Sequence, residues 1–78
     1  MNKIVTLGIM IQNFENIAQV NALLHRFSEC IICRMGMPYE KRNIRLIHVV
    51  LDTNETDADN LLEQLNALEG VSAQAMFF

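Results

Sequence analysis

The sequence lacks a long apolar run, and this absence argues against a membrane-spanning segment. Thr6, Gly8 and Gln12 interrupt the apolar stretch near the N-terminus, so no run approaches the roughly 20 residues that a helix needs to cross a bilayer. No small-residue cleavage site follows that stretch, such as would be expected after a signal peptide. We therefore interpret the stretch as a strand. We therefore expect a cytoplasmic protein without membrane contact.

Charged residues are also scarce. They make up 19% of the 78 residues, and the formal net charge is −3. Because nucleic-acid affinity depends on neutralising phosphates with Lys and Arg, this balance argues against direct binding of nucleic acid.

Hydrophobic residues, by contrast, make up 51% of the chain, which is a large share for so short a sequence. Small domains bury a modest share of their surface and are marginally stable alone. We expect one domain over residues 1–78 that forms a homo-oligomer, either a dimer or a tetramer.

Cysteine is limited to Cys30 and Cys33, and neither a second CxxC nor an HxxxH accompanies this pair. Residues three apart on a strand point to opposite faces, so the two thiols cannot chelate one ion there. We expect small buried hydrophobic side chains in a reducing compartment, with no metal site and no cofactor.

Apolar residues recur with the period of a strand in four segments and with the period of a helix in two. The predicted strands cover residues 3–12, 30–35, 44–51 and 71–78; one predicted helix covers residues 14–27 and the other starts at residue 56. The order β-α-β-β-α-β is that of the ferredoxin-like α+β fold. Right-handed crossovers then place both helices on one face of a four-stranded antiparallel sheet.

The predicted helix ends carry recognisable signals. Asn13 is a plausible N-cap of the first helix. The run Thr56–Asp59 resembles a capping box at the start of the second helix, with acidic side chains at the positive helix end. Gly70 suits the left-handed position that follows a helix C-terminus.

Apolar residues lie on both faces of the predicted hairpin. Because the helices cover one face, we expect the helix-free face to contact another subunit. The predicted interface residues are Ile4, Met10, Ile32, Leu46 and Val50, with Thr6, Arg34 and His48 on the same face. Gly8, in the middle of the first strand, predicts a close backbone approach by a neighbouring strand or chain.

Arg34 and His48 are the candidate ligand-binding residues. A guanidinium fork suits a carboxylate or a phosphate, and an imidazole beside it could line a site between subunits. The alternative is that Arg34 pairs with a carboxylate such as Glu29 or Glu40, or with one across the interface, and that His48 is an interface residue.

Four cations lie on or beside the hairpin: Arg34, Lys41, Arg42 and Arg45. They could hold a small anion or face an acidic helix of another subunit. The alternative is a solvated hairpin end.

Several segments resemble one known family. They are Val20–Glu29 with its Phe-Ser-Glu ending, Ile31, the Arg-x-Gly-x-Pro element at residues 34–38, Val50-Leu51, and Leu65 with residues 68–71. On these segments the whole chain is similar to the putative iron-only hydrogenase system regulator family, small stand-alone proteins with an ACT-like ferredoxin fold.

The resemblance implies a regulatory, oligomeric domain that is distantly akin to the metal-sensing domain of the nickel-responsive repressor. The histidine and cysteine cluster of that repressor is not matched in this sequence. Amino-acid-binding ACT domains usually carry a glycine in the loop before the first helix, and its absence here argues against a standard amino-acid site.

We therefore expect a non-enzymatic regulatory or sensing domain that binds a small ligand or a protein partner at a subunit junction. One alternative is a purely structural protein–protein interaction module. The other is a small phosphate-ester hydrolase, since acylphosphatase shares the predicted fold. The loop at residues 12–15 lacks the glycines of acylphosphatase and contains Glu15, and neither GxGxxG nor GxxxxGK occurs.

Overall fold

Residues 2–78, which the computed structural model describes, form four strands and two α-helices in the predicted order. The elements are β1 (Asn2–Ile11), α1 (Ile17–His25), β2 (Ile31–Tyr39), β3 (Ile44–Asn54), α2 (Glu55–Asn66) and β4 (Val71–Phe77). A 3-10 turn at Phe14–Asn16 leads into α1, and another at Glu40–Arg42 joins β2 to β3. The sheet order is β2-β3-β1-β4, and every neighbouring pair is antiparallel. The predicted ferredoxin-like fold is confirmed.

The core lies between one face of the sheet and the two helices. Alternate residues of the central strands point toward the helices, as expected for strands with a side-chain period of two. The strands contribute Val5, Leu7, Ile9 and Ile11 of β1 and Ile47, Val49 and Leu51 of β3 to the core. The helices contribute Val20 and Leu24 of α1 and Ala58, Leu61 and Leu65 of α2. Burying one large aliphatic side chain of this kind contributes about 1.5–3 kcal/mol to stability. Neither helix in residues 2–78 has the length and apolarity to cross a membrane.

Asparagines cap the 3-10 turn before α1 and the N-terminus of α2. Asn13 Oδ1 accepts a hydrogen bond from the Glu15 amide at 3.0 Å, so Asn13 caps the turn that leads into α1 and not α1 itself. The residue before α1 is Asn16, and its side chain makes no capping bond. The cap of α2 is Asn54 and not Thr56, because β3 continues to Asn54 and α2 begins immediately after it. Asn54 Oδ1 accepts from the Asp57 amide at 2.8 Å, and Asn54 Nδ2 donates to Asp57 Oδ2 at 2.9 Å.

Gly70 has the predicted left-handed backbone, with φ of 72°. Because α2 ends at Asn66, Gly70 lies in the turn before β4 and not directly after the helix. Its carbonyl accepts from the Gln12 amide at 2.7 Å, and a Cβ at this position would lie 2.5 Å from the Cβ of Asn13. The turn therefore packs closely against the segment that follows β1.

A β-bulge in β2 changes which side chains face the helices. The β2–β3 register shifts between Ile31, opposite Leu51, and Cys33, opposite Val50. Ile32 is the extra residue and is 60% exposed. A one-residue shift moves every later side chain of a strand to the other face. Arg34, expected on the helix-free face, therefore points toward the helices.

Candidate functional site

The helix-free surface of the sheet, here called the open face, is built from three rows of cross-strand neighbours. In the order β2, β3, β1, β4, the rows are Met37, Leu46, Met10, Ser72; Met35, His48, Gly8, Gln74; and Cys33, Val50, Thr6, Met76. These rows contain no Asp, Glu, Lys or Arg. Met35, Met37 and Met76 are each more than half exposed. The three rows therefore form an uncharged, methionine-rich surface, and Asp52, opposite Ile4, is an acidic residue beyond the end of these rows.

The predicted interface residues are placed on or beside this surface. Met10, Leu46 and Val50 lie within the rows, and Ile4 continues the face beyond Thr6, opposite Asp52. Ile32 lies in the bulge at its margin. Their contact with another subunit stays a prediction.

Gly8 leaves a depression in the middle of the open face. It lies opposite His48 on one side and Gln74 on the other. A Cβ at Gly8 would meet no heavy atom within 4 Å. Within residues 2–78 no backbone approaches this position from above the face, so the predicted close approach by another chain stays untested.

Arg34 and His48 lie on opposite faces of the sheet, so the interpretation that they line one surface is wrong. The bulge is the reason: it places Arg34 opposite the fully buried Val49 and leaves His48 exposed, opposite Met35. The role of either residue in binding a ligand stays a prediction.

The Arg34 guanidinium is held against α1. Its Nη2 donates to Asn21 Oδ1 at 2.5 Å. Among residues 2–78 the structure forms one ion pair, between Lys3 and Glu55 at 3.0 Å, so Arg34 pairs with neither Glu29 nor Glu40.

A groove on the helix side of the sheet, here called the arginine groove, is lined by Arg34 and by a second arginine. It is lined by Ile17 and Asn21 of α1, Arg34, Gly36, Met37 and Pro38 of β2, and Arg45 and Ile47 of β3. The Arg45 Cζ lies 5.9 Å from the centroid of the Phe14 ring. The Arg45 Nε is buried and has no hydrogen-bond partner in the described part of the chain.

From the sequence, Arg34 and Arg45 are predicted only to be two of the four cations on or beside the hairpin. The other two, Lys41 and Arg42, are exposed in the 3-10 turn and do not line the groove. The register Pro38 opposite Arg45 brings the two arginines to one face. The register between two strands cannot be predicted from the hydrophobic pattern of either strand. The sequence alone therefore could not show that Arg34 and Arg45 line one groove.

The two cysteines have different surroundings, and both thiols are free. Cys30 is half-buried and packs against the core, whereas Cys33 is exposed on the open face. The expectation of two buried thiols is therefore wrong for Cys33. Across residues 2–78, the His, Cys, Asp and Glu side chains form no group of three that could hold a metal ion.

Comparison with known proteins places this chain in a family. The TM1266-like family, described as "Iron-only hydrogenase system regulator, putative", matches residues 3–75. The chain belongs to this family. The uncharacterized protein TM1266 of Thermotoga maritima has a solved structure that is 30% identical and superposes with a TM-score of 0.94, over 100% of this chain and 99% of that one.

More distant structures share the fold of this TM1266-like protein. The C-terminal domain of the MgtC protein from Mycobacterium tuberculosis is 13% identical, with a TM-score of 0.72 over 99% of this chain and 88% of that one. A formyltetrahydrofolate deformylase from Pseudomonas putida is 12% identical, with a TM-score of 0.67 over 94% of this chain and 28% of the enzyme. At these identities the likeness shows the fold alone. No curated protein matches the sequence.

Proposed function

We propose that this TM1266-like protein is a non-enzymatic, cytoplasmic regulatory domain that works as a homodimer joined through its open face. The observation that supports this proposal most strongly is the uncharged, methionine-rich surface of the three rows of the open face, in a protein whose family is described as regulatory. The regulatory part follows from the family, and the dimer follows from the physical chemistry of the face.

Exposure of the open face to water is unfavourable. Apolar surface costs about 25 cal/mol for each Å² left in water. Large contiguous apolar patches on small proteins mark interaction sites. Met35, Met37 and Met76, exposed by 60%, 53% and 61%, contribute much of that surface.

A second copy of the chain is the partner that suits this face. In a two-fold dimer each side chain meets the same surface patch on its partner, so an excess of charge of one sign on the patch would be repulsive. The three rows contain no Asp, Glu, Lys or Arg, and the acidic residue of this face, Asp52, lies beyond them, opposite Ile4. Two sheets can pack face to face about 10 Å apart with interdigitating side chains. The flexible methionine side chains can fill the depression at Gly8 of the second copy.

The size of the face is adequate for such a contact. Four strands about 4.8 Å apart, with seven residues at about 3.4 Å each, give a plan area of roughly 450 Å² before side-chain relief is added. A standard interface takes roughly 800 Å² of accessible surface from each partner. The planar estimate alone reaches more than half of that value, and Ile32 and Phe78, both exposed, extend the apolar surface at its margins.

Regulation by such a dimer requires two states that a ligand or partner distinguishes. A ligand shifts the monomer–dimer equilibrium only by its difference in affinity for the two forms. His48 and Gln74 flank the Gly8 depression and supply the polar groups that would lie at the subunit junction. The alternative is an interaction module without a small ligand, and it uses the same face.

The proposal is tested by placing a lysine on either face of β3. Leu46→Lys puts a charge in the dimer contact and should lower the mass measured by light scattering while the circular-dichroism spectrum stays unchanged. Ile47→Lys buries the charge among the core residues and should unfold the chain, because an unpaired buried charge is costly.

The matched control for the added lysine is Asn60→Lys, at an exposed position of α2. This variant should keep the wild-type mass. A Leu46→Lys variant with the wild-type mass would show that the open face does not make the contact.

A further inference from the structure

We propose that the arginine groove binds a small organic molecule that carries two anionic groups, either carboxylates or phosphates. The groove lies on the helix side of the sheet and the dimer contact lies on the open face. The inference therefore goes beyond the proposed function and can succeed or fail independently of it.

The charge in the groove is not neutralised within the protein. Arginine stays protonated at every physiological pH, so Arg34 and Arg45 bring two permanent positive charges. Neither forms an ion pair with a carboxylate in the described chain. Carboxylate and phosphate oxygens are the acceptors that match a guanidinium fork.

One hydrogen-bond donor of a groove-lining residue also lacks an acceptor. The Nε of Arg45 is buried without a partner among residues 2–78. Buried donors in native proteins are nearly always paired, so Arg45 would gain a hydrogen bond by a shift that brings its guanidinium to an acceptor in the groove. Asn21 Oδ1 holds the Arg34 guanidinium, which leaves the Asn21 amide nitrogen to donate to the same ligand.

Gly36 supplies the space that such a molecule needs. It faces the helices between Arg34 and Pro38, and a Cβ there would meet no heavy atom within 4 Å. The groove has a volume of about 320 Å³, which is near the lower end of the range for small-molecule sites and suits a compact metabolite.

The spacing of the arginines indicates the shape of the molecule. Arg34 lies two residues to one side of the Gly36–Ile47 pair, and Arg45 lies two residues to the other side. The apolar Ile47 and the bare backbone of Gly36 lie between them. A short carbon chain with an anionic group at each end fits this arrangement, in which an apolar surface lies between two guanidinium groups.

The test is calorimetric titration of the intact protein at constant ionic strength, with succinate, glutarate, inorganic phosphate and acetate as the probes. Succinate or glutarate should bind at least tenfold more tightly than acetate, because a dicarboxylate can engage both arginines. Inorganic phosphate carries its charge on a single group and cannot engage both arginines, so it should bind more weakly than the better dicarboxylate. Tighter binding of phosphate would contradict a ligand with two anionic groups. The proposal would be overturned if neither succinate nor glutarate bound more tightly than chloride.

Two sets of variants, each with its own control, locate the binding. Arg34→Gln and Arg45→Gln should each weaken binding of the dicarboxylate about tenfold or more, since each removes a charge-assisted hydrogen bond, whereas Arg42→Gln removes an exposed charge outside the groove and should have no effect. Gly36→Val fills the groove and should abolish binding, whereas Gly8→Val fills the opposite face and should not. Equal affinity in Gly36→Val and the wild type would contradict the assignment.

The monomeric variant separates this inference from the dimer proposal. Leu46→Lys should keep the wild-type affinity for the dicarboxylate, because its substitution lies on the other face of the sheet. Loss of binding in a folded Leu46→Lys protein would mean that the site needs the second copy, and would overturn the groove as a site within one chain.

Discussion

At the scale of single residues, two side chains and one glycine determine how the turn after α2 is held. Asn66 Oδ1 accepts from the Ala73 amide at 2.8 Å, and Asn66 Nδ2 donates to the Ala73 carbonyl at 3.0 Å. Gly70 lies against Asn13 at a distance that leaves no space for a Cβ. Asn16 Nδ2 adds a hydrogen bond to the Glu69 carbonyl at 2.7 Å. The turn is therefore fixed from both the helix and the loop after β1.

Gly70→Ala should lower the free energy of unfolding by more than about 1 kcal/mol, because a left-handed backbone alone costs an alanine roughly that much. The close contact with Asn13 adds to this cost. Urea denaturation measures the change. Gly36→Ala is the control, since its Cβ has open space, and it should leave the stability unchanged or slightly higher. Equal stability in Gly70→Ala and the wild type would contradict the described turn.

At the scale of elements, the sequence pattern predicts the order of strands and helices correctly, because this order depends on local periodicity. It also finds a cap at Asn13, which caps the 3-10 turn before α1 and not α1 itself. It misses the extent of β2, which was expected to end near residue 35 and continues to Tyr39. Pro38 is tolerated there because β2 is an edge strand. The bulge at Ile32 depends on how β2 pairs with β3, which no local pattern records. For that reason the sequence placed Arg34 on the wrong face and did not predict the arginine groove.

The start of α2 gives a direct test at this scale. Asn54→Ala removes the observed cap and should cost about 1 kcal/mol of unfolding free energy, the usual value for such a cap. Thr56→Ala changes the residue that the sequence pattern favoured. Its side chain does not make the capping bond, so this variant should stay within about 0.5 kcal/mol of the wild type. A larger loss in Thr56→Ala than in Asn54→Ala would place the cap at the position that the sequence predicted.

At the scale of the whole molecule, the sheet has two surfaces with different chemistry. The three rows of the open face are uncharged and methionine-rich, and we propose this face as the dimer contact. The arginine groove on the helix side has two guanidinium groups beside an apolar floor, and we propose it as an anion site. Gly8 and Gly36 give each surface a position without a side chain, and neither is needed for the backbone to turn. A small regulatory domain with both surfaces can sense a ligand on one side and assemble on the other.

The central claim is that the open face joins two copies of the chain, and the most direct test is light scattering of the wild-type protein over a series of concentrations. The account predicts a mass about twice the 8.9 kDa of one chain at tens of micromolar, falling toward that of one chain on dilution. The protein concentration at which the dimer dissociates should be higher for Leu46→Lys than for the wild type, and the same as the wild type for Asn60→Lys. A wild-type protein with the mass of a single chain throughout the series would contradict the account.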